Sequence, residues 1–208
     1  MTQLEIFSDL ICPWCYIGKV RLEKALEMSG ASDELEIVWR PFQLNPNMPP
    51  EGVSRREYRI QKFGSWEYSQ QLDAQVIESA KSEGLDFNFE IAEKTPNTLL
   101  GHKLVKIAET HNCQDAVVTD LFNAFFCEGK DVGDLQFLLT VAGRCGLDRK
   151  ETEDALKSSE LETLVKSEEA RGRQLGINSV PCFVMNGRVL FSGAQQPQII
   201  AEKLKQLA

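Results

Sequence analysis

Two cysteines separated by Pro13 and Trp14 stand close to the start of the chain, in the stretch "SDLICPWCYIGK" from Ser8 to Lys19. Cys12 and Cys15 at this spacing can carry three chemistries. As a dithiol they exchange with disulfides: one sulfur attacks as thiolate and the other resolves the mixed disulfide. As half of a zinc site they need two further ligands. As inert side chains they are small hydrophobes. The zinc reading is short of partners, because there is no second C-x-x-C and His102, His111 and Cys113 offer poor spacing. The redox reading needs only the two thiols and a helix start to hold them. It is the reading the motif favours.

The neighbouring elements place the pair. Leu4–Ser8 alternates around the β-formers Ile6 and Phe7 and reads as a strand. After Pro13 the period lengthens: Val20, Leu22, Ala25, Leu26 and Met28 suit a helix that Gly30 can close. Proline is tolerated in a first helical turn, so Cys12 falls at the helix N-terminus. Unpaired N–H groups and the helix dipole favour an anion there, which lowers the pKa of an attacking thiol. The second thiol lies within reach, and only the first faces out.

A second strand is predicted over Leu35–Phe42, "LEIVWRPF", ended by the proline-rich "PFQLNPNMPP". From about Ser54 to Gly176 helical periodicity runs almost throughout, as in "SQQLDAQVIESAKSEG", "TLLGHKLVKIAET", "AVVTDLFNAFF", "DLQFLLTVAGRCG" and "ELETLVKSEEARGRQLG". Then "VPCFVMNG" reads as a strand leading into an Asn186–Gly187 hairpin, "RVLF" as its partner, and Pro197–Leu207 as a terminal helix. The fold class is therefore α/β: a βαβ opening and a ββα ending, residues 1–50 and 177–208, with a helical domain, 51–176, inserted between them.

Composition narrows the function. The 208 residues carry 23 basic and 31 acidic side chains, a net charge of −8, and no Lys/Arg cluster, which argues against a nucleic-acid partner. No apolar run approaches the roughly 18 residues of a membrane span. "MTQLEIFSD" lacks the basic and apolar regions of a leader, so a cytoplasmic setting is expected. In a reducing compartment Cys113, Cys127 and Cys145, scattered among apolar residues, are expected to be free and buried.

Across nearly its whole length the chain resembles the DsbA-like branch of the thioredoxin superfamily, and more narrowly the FrnE-like group. That group is related to 2-hydroxychromene-2-carboxylate isomerases and kappa-class glutathione transferases. The resemblance rests on "SDLICPWCYIGK", "WRPFQLNP", "KFG" at Lys62–Gly64, "PNTLLGHKL" at Pro96–Leu104, "GINSVPCFVMNG" and "FSGAQ" at Phe191–Gln195. It implies a thioredoxin fold and thiol–disulfide oxidoreductase activity, with Cys12 as nucleophile and Cys15 as resolving thiol. It also implies a cis Pro181 facing the cysteines, with Val180 offering its backbone to an extended substrate. Pro13 and Trp14 would border the same surface, and protein or small-molecule thiols and disulfides would be the partners.

The departures qualify the match. The buried acid that relatives keep six residues before the first cysteine is replaced by Ile6, and the nearest acid is Asp9. Asp9 could accept the resolving thiol's proton or cap the helix. DsbA proteins keep a His before the second cysteine; Trp14 brings a flat apolar surface in its place. Cys182 is an unusual third thiol after Pro181, and strand alternation points it into the sheet. His102 lies on a helix expected over the mouth of the site, as a substrate contact or as a solvated or capping side chain. No resident cofactor is expected. Glutathione is expected as a weakly bound co-substrate, its carboxylate held by N–H groups of Gly193, Ala194 and Gln195 at the start of the terminal helix. The alternatives are a glutathione-dependent isomerase or transferase, whose relatives usually carry Ser in place of Cys12, and a binding or chaperone module with idle cysteines.

Overall fold

The computed structural model describes residues 2–30 and 35–205. Strand β1 (Thr2–Ser8) is buried over its last five residues, so both of its faces are covered. A short loop leads to α1 (Pro13–Ser29). Cys12 is its extended N-cap residue (φ −92°, ψ 110°), Pro13 opens the first turn, and Gly30 ends the helix in a left-handed conformation with its N–H on the Leu26 carbonyl. Strand β2 (Leu35–Pro41) then runs parallel to β1.

The long middle segment contains β3 (Val53–Ser54), α2 (Arg55–Phe63), α3 (Trp66–Ser82), β4 (Lys94–Thr95), α4 (Leu99–Glu109), α5 (Gln114–Glu128), α6 (Leu135–Arg144), α7 (Arg149–Lys157) and α8 (Ser159–Gln174). The chain closes with β5 (Cys182–Met185), β6 (Arg188–Ser192) and α9 (Pro197–Lys205). The main sheet has the order β2-β1-β5-β6, with β5 antiparallel to β1 and β6 antiparallel to β5. This is the α/β thioredoxin sheet that the resemblance implies, with helices entering between β2 and β5. Asn186 and Gly187, both at positive φ (52° and 71°), make the tight turn between β5 and β6.

Packing holds the first half of the chain against the middle segment. Tyr16, next to Cys15, stacks on Phe122 of α5 with ring centroids 5.1 Å apart, and Phe126 stacks on Phe87 at 4.8 Å. α1 packs along α9, and α4, α5 and α8 all meet β2. One continuous apolar core therefore runs from the sheet into the helices.

Three expectations need correction or a limit. The middle is not helical almost throughout: β3 and β4 form a two-stranded antiparallel ladder, pairing Val53 with Thr95 and Ser54 with Lys94. Polar α7 is a separate helix that no apolar periodicity marks. Cys113, Cys127 and Cys145 are free but only half-buried, because each lies at or near a helix end that the core does not fully cover. The predicted last turn at Gln206 and Leu207 lies outside the described residues. Among the described residues, no helix is long and apolar enough to cross a membrane.

Candidate active site

The two thiols have different surroundings. Cys12 sits at the start of α1, where its Sγ lies 3.6 Å from the Val180 carbonyl oxygen, to which it donates. Cys15 is one turn further in and wholly inaccessible. Its N–H donates to the Cys12 carbonyl at 2.9 Å. Burial pushes the Cys15 thiol well above the ordinary thiol range, and the Cys12 thiol beside it pushes the same way. The Ser8 hydroxyl and the Asp9 backbone pull back without reversing the shift. Such a pair is asymmetric: one sulfur borders the surface and the other is kept protonated behind it.

The loop facing Cys12 comes from the other end of the chain. The Val180–Pro181 peptide is cis, as the resemblance implies. Its close approach depends on Gly18: a Cβ there would come within 2.9 Å of Pro181 Cγ. Any side chain at position 18 would wedge α1 away from this loop. Cys182 points inward as expected; it is buried on β5, where the Ser192 hydroxyl donates to its sulfur at 3.3 Å.

Behind the thiols lies a buried polar pair. Asp9 is fully inaccessible and His102 almost so. One carboxylate oxygen of Asp9 accepts the Leu44 N–H at 2.7 Å, and the other lies 3.4 Å from His102 Nε2. Neither of those last two atoms has another hydrogen-bond partner among the described residues. Asp9 therefore does not cap α1, whose N-cap makes no side-chain hydrogen bond. His102 is neither solvated nor a cap, and the structure does not bring it to the cavity at Cys12.

That cavity, about 370 Å³, is bounded by Cys12, Pro13 and the exposed Trp14 on one side and by α2 and α3 on the other. Its far wall carries Arg55, Arg59, Lys62, Phe63 and Asp73. Sequence reasoning took only Lys62 and Phe63 from this wall, as part of a motif. The signal was present: positions 55, 59 and 62 follow helical spacing, so the three cations fall on one face of α2. A larger apolar groove of about 490 Å³ lies between α4, α7 and α8, but it contains no thiol. Among the described residues no group of three or more His, Cys, Asp or Glu side chains is arranged to hold a metal.

Gln195 does not line the cavity at Cys12. Its N–H donates to the Gly193 carbonyl at 2.9 Å, and the Gly193 N–H donates to the Pro181 carbonyl at 2.8 Å. The terminal helix begins later, at Pro197. Two of the three N–H groups expected to hold a glutathione carboxylate are thus already engaged. Gly193, Ala194 and Gln195 thus lie in the turn that precedes the helix and not in its first turn.

Comparison with known proteins agrees with this fold. A family model described as a DSBA-like thioredoxin domain matches residues 3–205. The uncharacterized protein YwbO of Bacillus subtilis is 26% identical over 188 residues, covering 90% of this chain and 88% of that one. The crystal structure of a probable DsbA oxidoreductase, SCO1869 from Streptomyces coelicolor, superposes with a TM-score of 0.90 at 29% identity, covering 99% of this chain and 89% of that one. The cytosolic disulfide reductase DsbM from Pseudomonas aeruginosa, in a structure with GSH, shares the fold at a TM-score of 0.69 and 17% identity, covering 99% and 98%.

Proposed function

Because the chain belongs to the DSBA-like thioredoxin domain family, we propose that it is a thiol–disulfide oxidoreductase with Cys12 as nucleophile and Cys15 as resolving thiol. The observation that carries the reading is the asymmetry of the pair: Cys12 borders the cavity, and Cys15 lies behind it with its thiol held protonated. In the reducing direction the Cys12 thiolate attacks a substrate disulfide and one substrate sulfur leaves as thiolate. Cys15 then loses its proton and attacks Cys12. The second substrate sulfur leaves, and a Cys12–Cys15 disulfide remains. Two electrons pass from protein to substrate, and oxidation of a dithiol is the reverse path. Substrate lies along the Val180–Pro181 backbone and against Pro13 and Trp14.

Trapping tests the roles. Cys15→Ser accumulates mixed disulfides with substrate, and Cys12→Ser accumulates none. Equal alkylation of both thiols in the reduced wild-type protein would contradict the assignment.

Partners on this reading are protein or small-molecule thiols and disulfides, in a cytoplasmic setting. Glutathione as co-substrate draws support from the fold neighbour with GSH, although Gly193 and Gln195 offer it fewer free donors than expected. The enclosed cavity beside Cys12 favours one second reading, a glutathione-dependent isomerase or transferase acting on a small molecule. Turnover that survives Cys12→Ser would identify it.

A further inference from the structure

The wall of the Cys12 cavity is richer in positive charge than the rest of the molecule. Three cations line it, Arg55, Arg59 and Lys62, against one carboxylate among the described lining residues, Asp73. Asp73 is shared: Arg55 donates to one of its oxygens at 2.6 Å and Arg59 to the other. Two positive charges are left over in a chain whose net charge is −8. Lys62 has the least compensation. Its ammonium donates to the Tyr58 hydroxyl at 2.9 Å and lies over the Tyr58 and Phe63 rings, with no carboxylate partner among the described residues. Burial, the largest influence on Arg59, lowers its pKa, and neighbouring Arg55 adds to that against the pull of Asp73. The site is therefore short of negative charge.

The rest of the wall is apolar and aromatic. Trp14, Phe63, Phe89 and Phe125 present rings to the cavity. Its volume of about 370 Å³ matches a small molecule, since ligand pockets span roughly 300–1,000 Å³. A cavity that is apolar in body, cationic at one wall and closed by a nucleophilic thiol specifies its ligand on all three counts.

Resting on the thiol–disulfide reading above, we infer that the substrate of Cys12 is a small disulfide with a flat apolar body and an anionic group that pairs with Lys62. The body lies among the rings, the anion faces Lys62 and the outer edge of Arg59, and the sulfur meets Cys12. Atoms and electrons balance within the dithiol cycle already given. The ligand's S–S bond breaks, two ligand thiolates leave in turn, and the Cys12–Cys15 bond forms.

Two aromatic disulfides serve as probes. Dithiobis-nitrobenzoate bears a carboxylate on each ring, and dithiodipyridine bears none. Each releases a coloured thiol, so single-turnover rates with the reduced protein can be followed directly. The relevant phase is the fastest one, and Cys12→Ser is expected to abolish it. If that variant keeps the phase, the thiol–disulfide reading fails, and the inference with it. If the phase is lost, Lys62→Met decides the substrate class. The expected result is that its rate with dithiobis-nitrobenzoate falls about tenfold relative to dithiodipyridine, the size of one partly screened charge pair. A change in thiolate population would slow both reagents alike, so an unchanged ratio overturns the inference. Salt gives a check on the unmodified protein: raising it should erode the preference for the carboxylated reagent. A salt-independent ratio would also overturn the inference.

Discussion

Asp9 and His102 form a buried polar pair, and the Asp9 backbone lies against the Cys15 thiol. Cys15 must lose a proton before it can attack, and its burial makes that loss costly. Ile6 occupies the strand position where an acid would be expected, and on the proposed roles Asp9 is the base that takes the Cys15 proton. Asp9→Asn preserves the acceptor for the Leu44 N–H but removes the base. The expected outcome is a mixed disulfide at Cys12 that resolves about a hundredfold more slowly, at the low end of positioned proton transfer. Stopped-flow release of the second substrate thiol measures that rate; resolution at the wild-type rate would leave Asp9 with a structural role alone. The motif cysteines were legible in the sequence because their chemistry follows from local spacing, and the cis form of Pro181 because the family resemblance implies it. The Asp9–His102 contact was not, since it joins positions 9 and 102 across the fold, and neither side chain signals it alone.

Among the elements, the contact between α1 and the Pro181 loop sets the geometry of the site. Gly18→Ala places a methyl carbon 2.9 Å from Pro181 Cγ, and the proline ring cannot rotate away as a flexible chain could. Overpacking of this kind costs about 1–3 kcal/mol. Urea unfolding should show that loss, together with slower reduction of dithiodipyridine as the loop moves off Cys12. A variant with wild-type stability and rate would mean that the loop yields freely. Elements bounded by strong punctuation were readable in advance: β1 and α1 by the change of period at Pro13, and β5 and β6 by Asn186–Gly187. The polar helix α7 lacks a wide apolar face, so periodicity did not separate it. β3 and β4 are two residues each, too short to leave a pattern, and they exist because distant backbone groups meet.

On the scale of the molecule, a charge network ties the start of the chain to its middle. Glu5 on β1 accepts from Arg40 on β2 at 2.7 Å and from Arg171 on α8, and Arg40 continues to Glu109 and Glu168. Burial alone would raise the Glu5 pKa, but Arg171 and Arg40 outweigh it and hold the carboxyl below its ordinary value of 4.5. A lowered folded-state pKa contributes stability that is present above the unfolded value and lost as pH falls through the folded one. Glu5→Gln should therefore cost roughly 3 kcal/mol near neutral pH, as expected for breaking a largely buried pair. The difference from wild type should shrink as pH drops below that ordinary value. Urea midpoints across that range test it; a gap that persists in acid would point to packing instead of charge. The sheet order has a further consequence, in time. β1 is central, yet one of its two partners is made with the first residues and the other, β5, begins only at Cys182. At ordinary synthesis rates a ribosome extrudes Cys12 and Cys15 about ten seconds or more before it makes Val180 and Phe183. Through that interval the growing chain lacks β5 and the Val180 carbonyl that faces Cys12, part of the surroundings that make its thiols unlike. On the roles proposed above, their division of labour is acquired as the last strands arrive.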